Sequence, residues 1–195
     1  MGRRKILSRQ SGVGMVEVLV SLLIISLGFL SLAGLQVTAK RSGYAAMQRT
    51  SALVLAHDVM GRMRANPMQL DRYLSSALGG GSLSEPARDC RTAQPCTPGE
   101  MAGHDLYAWE QALDGASESR LIGGTSTDTG GLVNPRACIT GPAGGGGGVY
   151  TVSIAWRGLQ ELTTSADSDC GIGLGLYGDN EEFRRILSLM LFISP

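Results

Sequence analysis

Residues 13–35 form an apolar stretch interrupted by a single charge, Glu17. At 1.5 Å of rise per residue it exceeds the roughly 20 residues that a helix needs to cross a bilayer. A chain carrying such a stretch must either bury it in a large core or hand it to lipid or to other protein. Ahead of it lie Arg3, Arg4, Lys5 and Arg9 with no acid among them, and beyond it lie Lys40 and Arg41. Four cations against two favour a cytoplasmic start and an exported C-terminal part. A secretory signal places a small-residue cleavage site after its apolar core. Here the candidate cleavage site comes first.

Composition narrows the remaining classes. Without the four leader cations, the 17 basic residues fall to 13 against 17 acidic ones. A net negative chain lacks the clustered basic face that nucleic acid requires, so no nucleic-acid partner is expected. A hydrophobic share of 43% excludes disordered and collagen-like chains, while 28 glycines predict a head rich in loops.

The segment Ser11-Gly12-Val13-Gly14-Met15-Val16-Glu17-Val18-Leu19-Val20 resembles the class III signal of type IV prepilins. That signal is a short basic leader ending in Gly, then an apolar helix with Glu at its fifth position. With Gly12 last in the leader, Val13 is first in the mature chain and Glu17 is fifth; with Gly14 last, Glu17 would be third and the pattern would break. Most pilins have Phe where this chain has Val13. The resemblance implies cleavage between Gly12 and Val13 by a prepilin peptidase, N-methylation of Val13, and subunit assembly through Glu17. An isolated carboxylate among apolar residues costs about 2.5–3.5 kcal/mol at mid-membrane and less near an interface. By resemblance, its partner is the free amine of Val13 on a neighbouring subunit.

Beyond the apolar stretch no breaker occurs between residues 36 and 66. Val37, Tyr44, Met47, Leu55, Val59 and Met63 recur at helical spacing, with Lys40, Arg41, Gln48, Arg49, Asp58 and Arg62 between them. Pro67 stops the run. Resemblance to pilins implies one continuous helix over residues 13–66, roughly 80 Å long; Gly28 and Gly34 are possible bending points. In the head, residues 69–78 and 105–113 predict short helices, the latter with Leu106, Trp109 and Leu113 on one face. Residues 149–157 predict a strand with Tyr150, Val152, Ile154 and Trp156 facing one way. Residues 137–140 predict its hairpin partner across a glycine-rich tip at 141–148. The apolar run 183–193 predicts a closing strand. The expected organisation is a basic leader at 1–12, a transmembrane and assembly half-helix at 13–35, an amphipathic half at 36–66, and an α+β head at 67–195. The fold class is α+β and pilin-like, a long N-terminal helix packed on an antiparallel sheet.

The stretch from Val149 to Gly158, the ending Arg184-Arg185-Ile186-Leu187-Ser188-Leu189 and the helix segment from Leu55 to Pro67 are similar to the PilV family of minor pilins. That resemblance implies a low-abundance subunit that helps to initiate a type IV pilus, sits near its tip and supports twitching motility. Its partners would be other minor pilins, the major pilin, the prepilin peptidase, the inner-membrane assembly platform, and lipid before assembly. It would reside as a single-pass protein in the inner membrane, head in the periplasm, and then in the pilus.

Cys90, Cys96, Cys138 and Cys170 all fall in the part expected to be exported. An even count in an oxidising compartment predicts two disulfides with three possible pairings. Cys90–Cys96 with Cys138–Cys170 is favoured, because the first pair lies close together in a Pro-containing loop. No Cys-x-x-Cys occurs and neither histidine suits zinc, so no metal or other cofactor is expected. Residues 144–148 lack the Gly-Lys-Ser/Thr of a phosphate loop and predict a flexible tip. His57 sits on the helix and His104 is placed in a loop. No activated nucleophile accompanies either, so no enzymatic activity is expected. Asp128, Asp167, Asp169, Asp179 and Glu181 offer oxygens; their order matches no calcium loop, and resemblance to pilin-like proteins, some of which bind calcium, keeps that ion as the alternative to no metal. The competing roles are a minor pseudopilin of type II secretion, an uncleaved bitopic membrane protein with an adhesive or sensory head, and a membrane-anchored enzyme.

Overall fold

In the computed structural model, the described residues are 12, 14–91, 95–116, 118–128, 130–162 and 168–194. Contacts divide the chain into two compact units, residues 1–43 and 44–195. The long helix α1, Met15–Ala65, contributes to both.

Within the first unit, α1 is exposed throughout its described length; Ile24 and Leu30 are 63% and 71% accessible. This stretch is long and apolar enough to cross a membrane. Its hydroxyls do not break the apolar character. Ser21, Ser26, Ser31 and Thr38 each donate to the carbonyl four residues earlier, at 2.7–3.2 Å, which satisfies a polar group inside the helix itself.

The second unit packs the later part of α1 on an antiparallel sheet. Helix α1 ends at Ala65, before Asn66-Pro67, and a 3-10 segment, Pro67–Tyr73, leads into strand β1, Ser75–Leu78. Helix α2 spans Pro98–Asp114 and opens on a capping box in which Thr97 and Glu100 bond each other's backbone. It ends at Gly115, whose φ of +81° a side chain rarely adopts. A Cβ there would lie 2.0 Å from the Gly130 carbonyl oxygen. Strands β2 (Ser119–Ile122) and β3 (Thr125–Asp128) form a separate hairpin, and β4 (Arg136–Thr140), β5 (Gly148–Arg157) and β6 (Arg184–Ile193) complete the main sheet in the order β1-β4-β5-β6. The β5–β6 ladder pairs all ten residues without a bulge.

Several expectations need correction. The buried stripe of α1 comprises Gln48, Ala52, Ala56, Val59, Met60 and Met63, whereas Met47 and Val37 are exposed. Small alanines face the core where the Trp109 indole comes against α1. Residues 69–78 are a 3-10 turn followed by an edge strand; pairing of Ser75 with Ile139 and Leu78 with Ala137 overrides the local helical reading. Helix α2 begins seven residues earlier than residue 105, and His104 lies within it, buried, rather than in a loop. The glycine-rich tip is packed. Tyr150 donates to the Gly146 carbonyl at 2.7 Å, and a Cβ at Gly145 would meet the Asp71 nitrogen at 2.3 Å.

Candidate assembly segment and its supporting head

Met15 opens α1, and Glu17 stands in its first turn. The Glu17 amide donates to the Gly14 carbonyl at 3.0 Å, and Val18 reaches the same oxygen at 3.3 Å. Gly12 and Gly14 are exposed, and neither has atoms close to a would-be Cβ. Val13 lies outside the described residues. Among the described residues, Glu17 has no ion-pair partner, although an acid in the first turn of a helix gains from the axial dipole. Its neighbours Met15, Val16, Leu19 and Val20 are all at least half exposed. Glu17 is thus an uncompensated charge on an apolar surface that nothing in the described chain covers.

The head is held by polar contacts between its layers. Arg62 on α1 reaches Asp58 at 3.0 Å and Asp105 on α2 at 3.2 Å, while the Tyr73 hydroxyl donates to Asp105 at 2.7 Å. Burial and the neighbouring Asp105 both push the Tyr73 hydroxyl well above its ordinary pKa, so it remains a donor. The indole of Trp109 donates to the Leu55 carbonyl at 2.8 Å. Glu110, wholly buried on α2, accepts from the amides of Gly79, Ser82 and Leu83 at 2.7–2.9 Å and from the Ser82 hydroxyl. Burial works to raise its pKa, but bonds from Ser82, Gly79 and Leu83 outweigh it and hold the carboxyl below the usual range. Asp114 takes the amides of Gly80 and Gly81. One helix face thereby organises the turn after β1. The expectation for α2 stopped at Leu106, Trp109 and Leu113 and missed this role of Glu110.

Both disulfides are present, with Cα separations of 5.6 Å for Cys90–Cys96 and 5.8 Å for Cys138–Cys170. The second staples residues 168–183 over the back of the sheet, opposite α1. There Ser153 meets Ser188 hydroxyl to hydroxyl at 2.9 Å, and Ala155 is wholly buried. Arg184 donates to the carbonyls of Ser168 and Cys170, and Tyr177 to that of Asn134. Beside the first disulfide, His104 faces Asp89 at 3.2 Å, and bonds from Arg91 hold the Asp89 carboxyl at about 2. His57 is exposed. No three metal-ligating side chains converge among the described residues; Asp167 lies outside them.

A long N-terminal helix, packed in its later part on a four-stranded antiparallel sheet, defines a pilin-like α+β architecture. Residues 34–107 match the family model Tt1218-like, described as type IV pilin Tt1218. That match supports a type IV pilin, and it covers the later part of α1, β1 and the first half of α2. Searches of curated proteins and of solved structures return no match.

Proposed function

We propose that this chain is a minor pilin of a type IV pilus, made with a leader that a prepilin peptidase cuts between Gly12 and Val13. The reading rests on one observation above the others. Glu17 is the sole charge in an exposed apolar helical segment and has no cationic partner among the described residues. In low-dielectric surroundings such a carboxylate is stabilised by an opposite charge within a few ångströms. Cleavage after Gly12 creates one, the amine of Val13, and methylation leaves it charged. A neighbouring subunit's amine then sets the axial register of entry into the fibre. The role is structural rather than enzymatic, and the partners are the major pilin, other minor pilins and the inner-membrane assembly platform. Before assembly the chain resides in the inner membrane with its head in the periplasm; afterwards it lies near the fibre tip and supports twitching motility.

Mass spectrometry of the chain's N-terminus in cells tests the processing step, with a methylated Val13 expected and an intact Met1 start contradicting it. Glu17→Ala should leave cleavage unchanged and reduce the chain in sheared fibres. Normal incorporation would remove the pairing argument. Gene deletion should abolish surface pili with type II secretion intact; the opposite result would assign the chain to a secretion pseudopilus.

A further inference from the structure

Gly14 has no role in the leader signal, which asks for Gly12 before the cut and Glu17 at the fifth mature position. Its geometry is that of a helix stop. Gly14 is itself non-helical, Met15 opens α1, and the Gly14 carbonyl accepts the first bonds of that helix, from Glu17 at 3.0 Å and Val18 at 3.3 Å. A residue with those features occupies the N-cap position, where Gly and Asn are tolerated or favoured and Ala is strongly disfavoured. Gly12 is likewise outside the helix and exposed. Non-helical glycines therefore flank Val13 on both sides.

The chain ahead of this point would otherwise continue the helix. Helix α1 runs for 51 residues, and adding a residue to an existing helix costs far less than nucleating a new one. The leader supplies Arg3, Arg4, Lys5, Leu7, Arg9 and Gln10, all good helix formers. Without a stop, the ladder of hydrogen bonds would extend back across the bond between Gly12 and Val13. A peptidase takes its scissile bond in an opened backbone, so a helical bond must first unfold locally before it is cut.

We infer that Gly14 is a positioning residue for leader removal: it ends α1 short of the cut, so that the Gly12–Val13 bond is presented outside the helix with no unwinding step. This rests on the proposed processing and supplies the conformational requirement for it. The competing role is that of a small residue that lets another surface approach closely. The two roles differ in what can replace Gly14. Ala stays small and loses the stop; Asn keeps the stop and adds bulk. A Cβ at Gly14 meets no atom within 4 Å, and its φ lies outside the left-handed region, so the chain accommodates either.

The test is cleavage of the detergent-solubilised full-length precursor by a purified prepilin peptidase. Gly14→Ala should lower kcat/KM about fivefold, with the loss in KM, because only the opened fraction of substrate binds. Gly14→Asn should be cut like the native chain. In the uncut precursors, the Gly12 Cα chemical shift should move to helical values in Gly14→Ala alone, while urea unfolding of the head stays the same in all three. Native cleavage of Gly14→Ala, slow cleavage of Gly14→Asn, or a loss confined to kcat would each overturn the inference. A native precursor that the peptidase leaves intact overturns the processing reading itself; one cut between Gly12 and Val13 with no response to Gly14→Ala overturns the helix stop alone.

Discussion

The indole N–H of Trp109 donates to the main-chain carbonyl of Leu55 at 2.8 Å, tying α2 to the later part of α1. Such closeness requires small side chains on that face of α1, which Ala52 and Ala56 supply. Trp109→Phe keeps most of the ring but loses the bond. It should cost about 1–2 kcal/mol in urea unfolding of the detergent-solubilised chain. Trp109→Ala should cost about 3–5 kcal/mol. Equal stability of the Phe variant and the native chain would show that the bond contributes nothing.

Glu110 makes stability depend on acid. Its carboxyl lies below the ordinary range when folded and returns to about 4.3 when unfolded. Its contribution is therefore fully present above the unfolded value and is lost as pH falls through the lower folded one. Glu110→Gln brings two N–H donors to a site of three amides and a hydroxyl. It should cost about 1.5–3 kcal/mol at pH 7. Unfolding midpoints measured from pH 7 to 3 should fall less steeply in the variant; parallel curves would contradict this.

The two disulfides should differ in worth. Cys138–Cys170 spans 32 residues and Cys90–Cys96 spans 6. A longer closed loop removes more freedom from the unfolded chain, so paired Ser substitutions at Cys138 and Cys170 should cost more, about 2–4 kcal/mol. Trypsin should then cut first at Arg184 or Arg185, since the loop that Arg184 holds loses its staple. Greater loss from removing Cys90–Cys96 would reverse this ordering.

Gly115 ends α2 in the left-handed region with Gly130 against it. Gly115→Ala combines an unfavourable φ with a backbone collision, and should cost at least about 1–2 kcal/mol in the same assay. A variant as stable as the native chain would mean that residues 130–131 move away freely.

Legibility in the sequence followed the range of the interactions. Apolar stretch, helix stop at Pro67 and strands β4, β5 and β6 are written in local pattern, and the structure contains them. Thr97-Pro98-Gly99-Glu100 and the Gly123-Gly124 turn are equally local signals for the start of α2 and for the β2–β3 hairpin, and went unread. Ser75-Ser76-Ala77-Leu78 carries no alternation; only pairing with β4 makes it a strand. Glu110 looks like a solvent-facing helix residue until the turn at residues 79–83 folds onto it. Gln48 likewise reads as surface, yet it is buried and bonds Tyr44 and the Gly131 carbonyl. Glu17 stands out on composition alone, because its proposed counter-charge belongs to another chain.

The hydroxyls of Ser21, Ser26, Ser31 and Thr38 are each spent on their own helix one turn back. None of them demands water, and none demands a particular neighbour. The segment can therefore exchange a fatty-acyl environment for close contact with other helices without breaking a hydrogen bond. Such a rod is portable between two solvents, leaving Glu17 as the one group whose energy changes with the company it keeps.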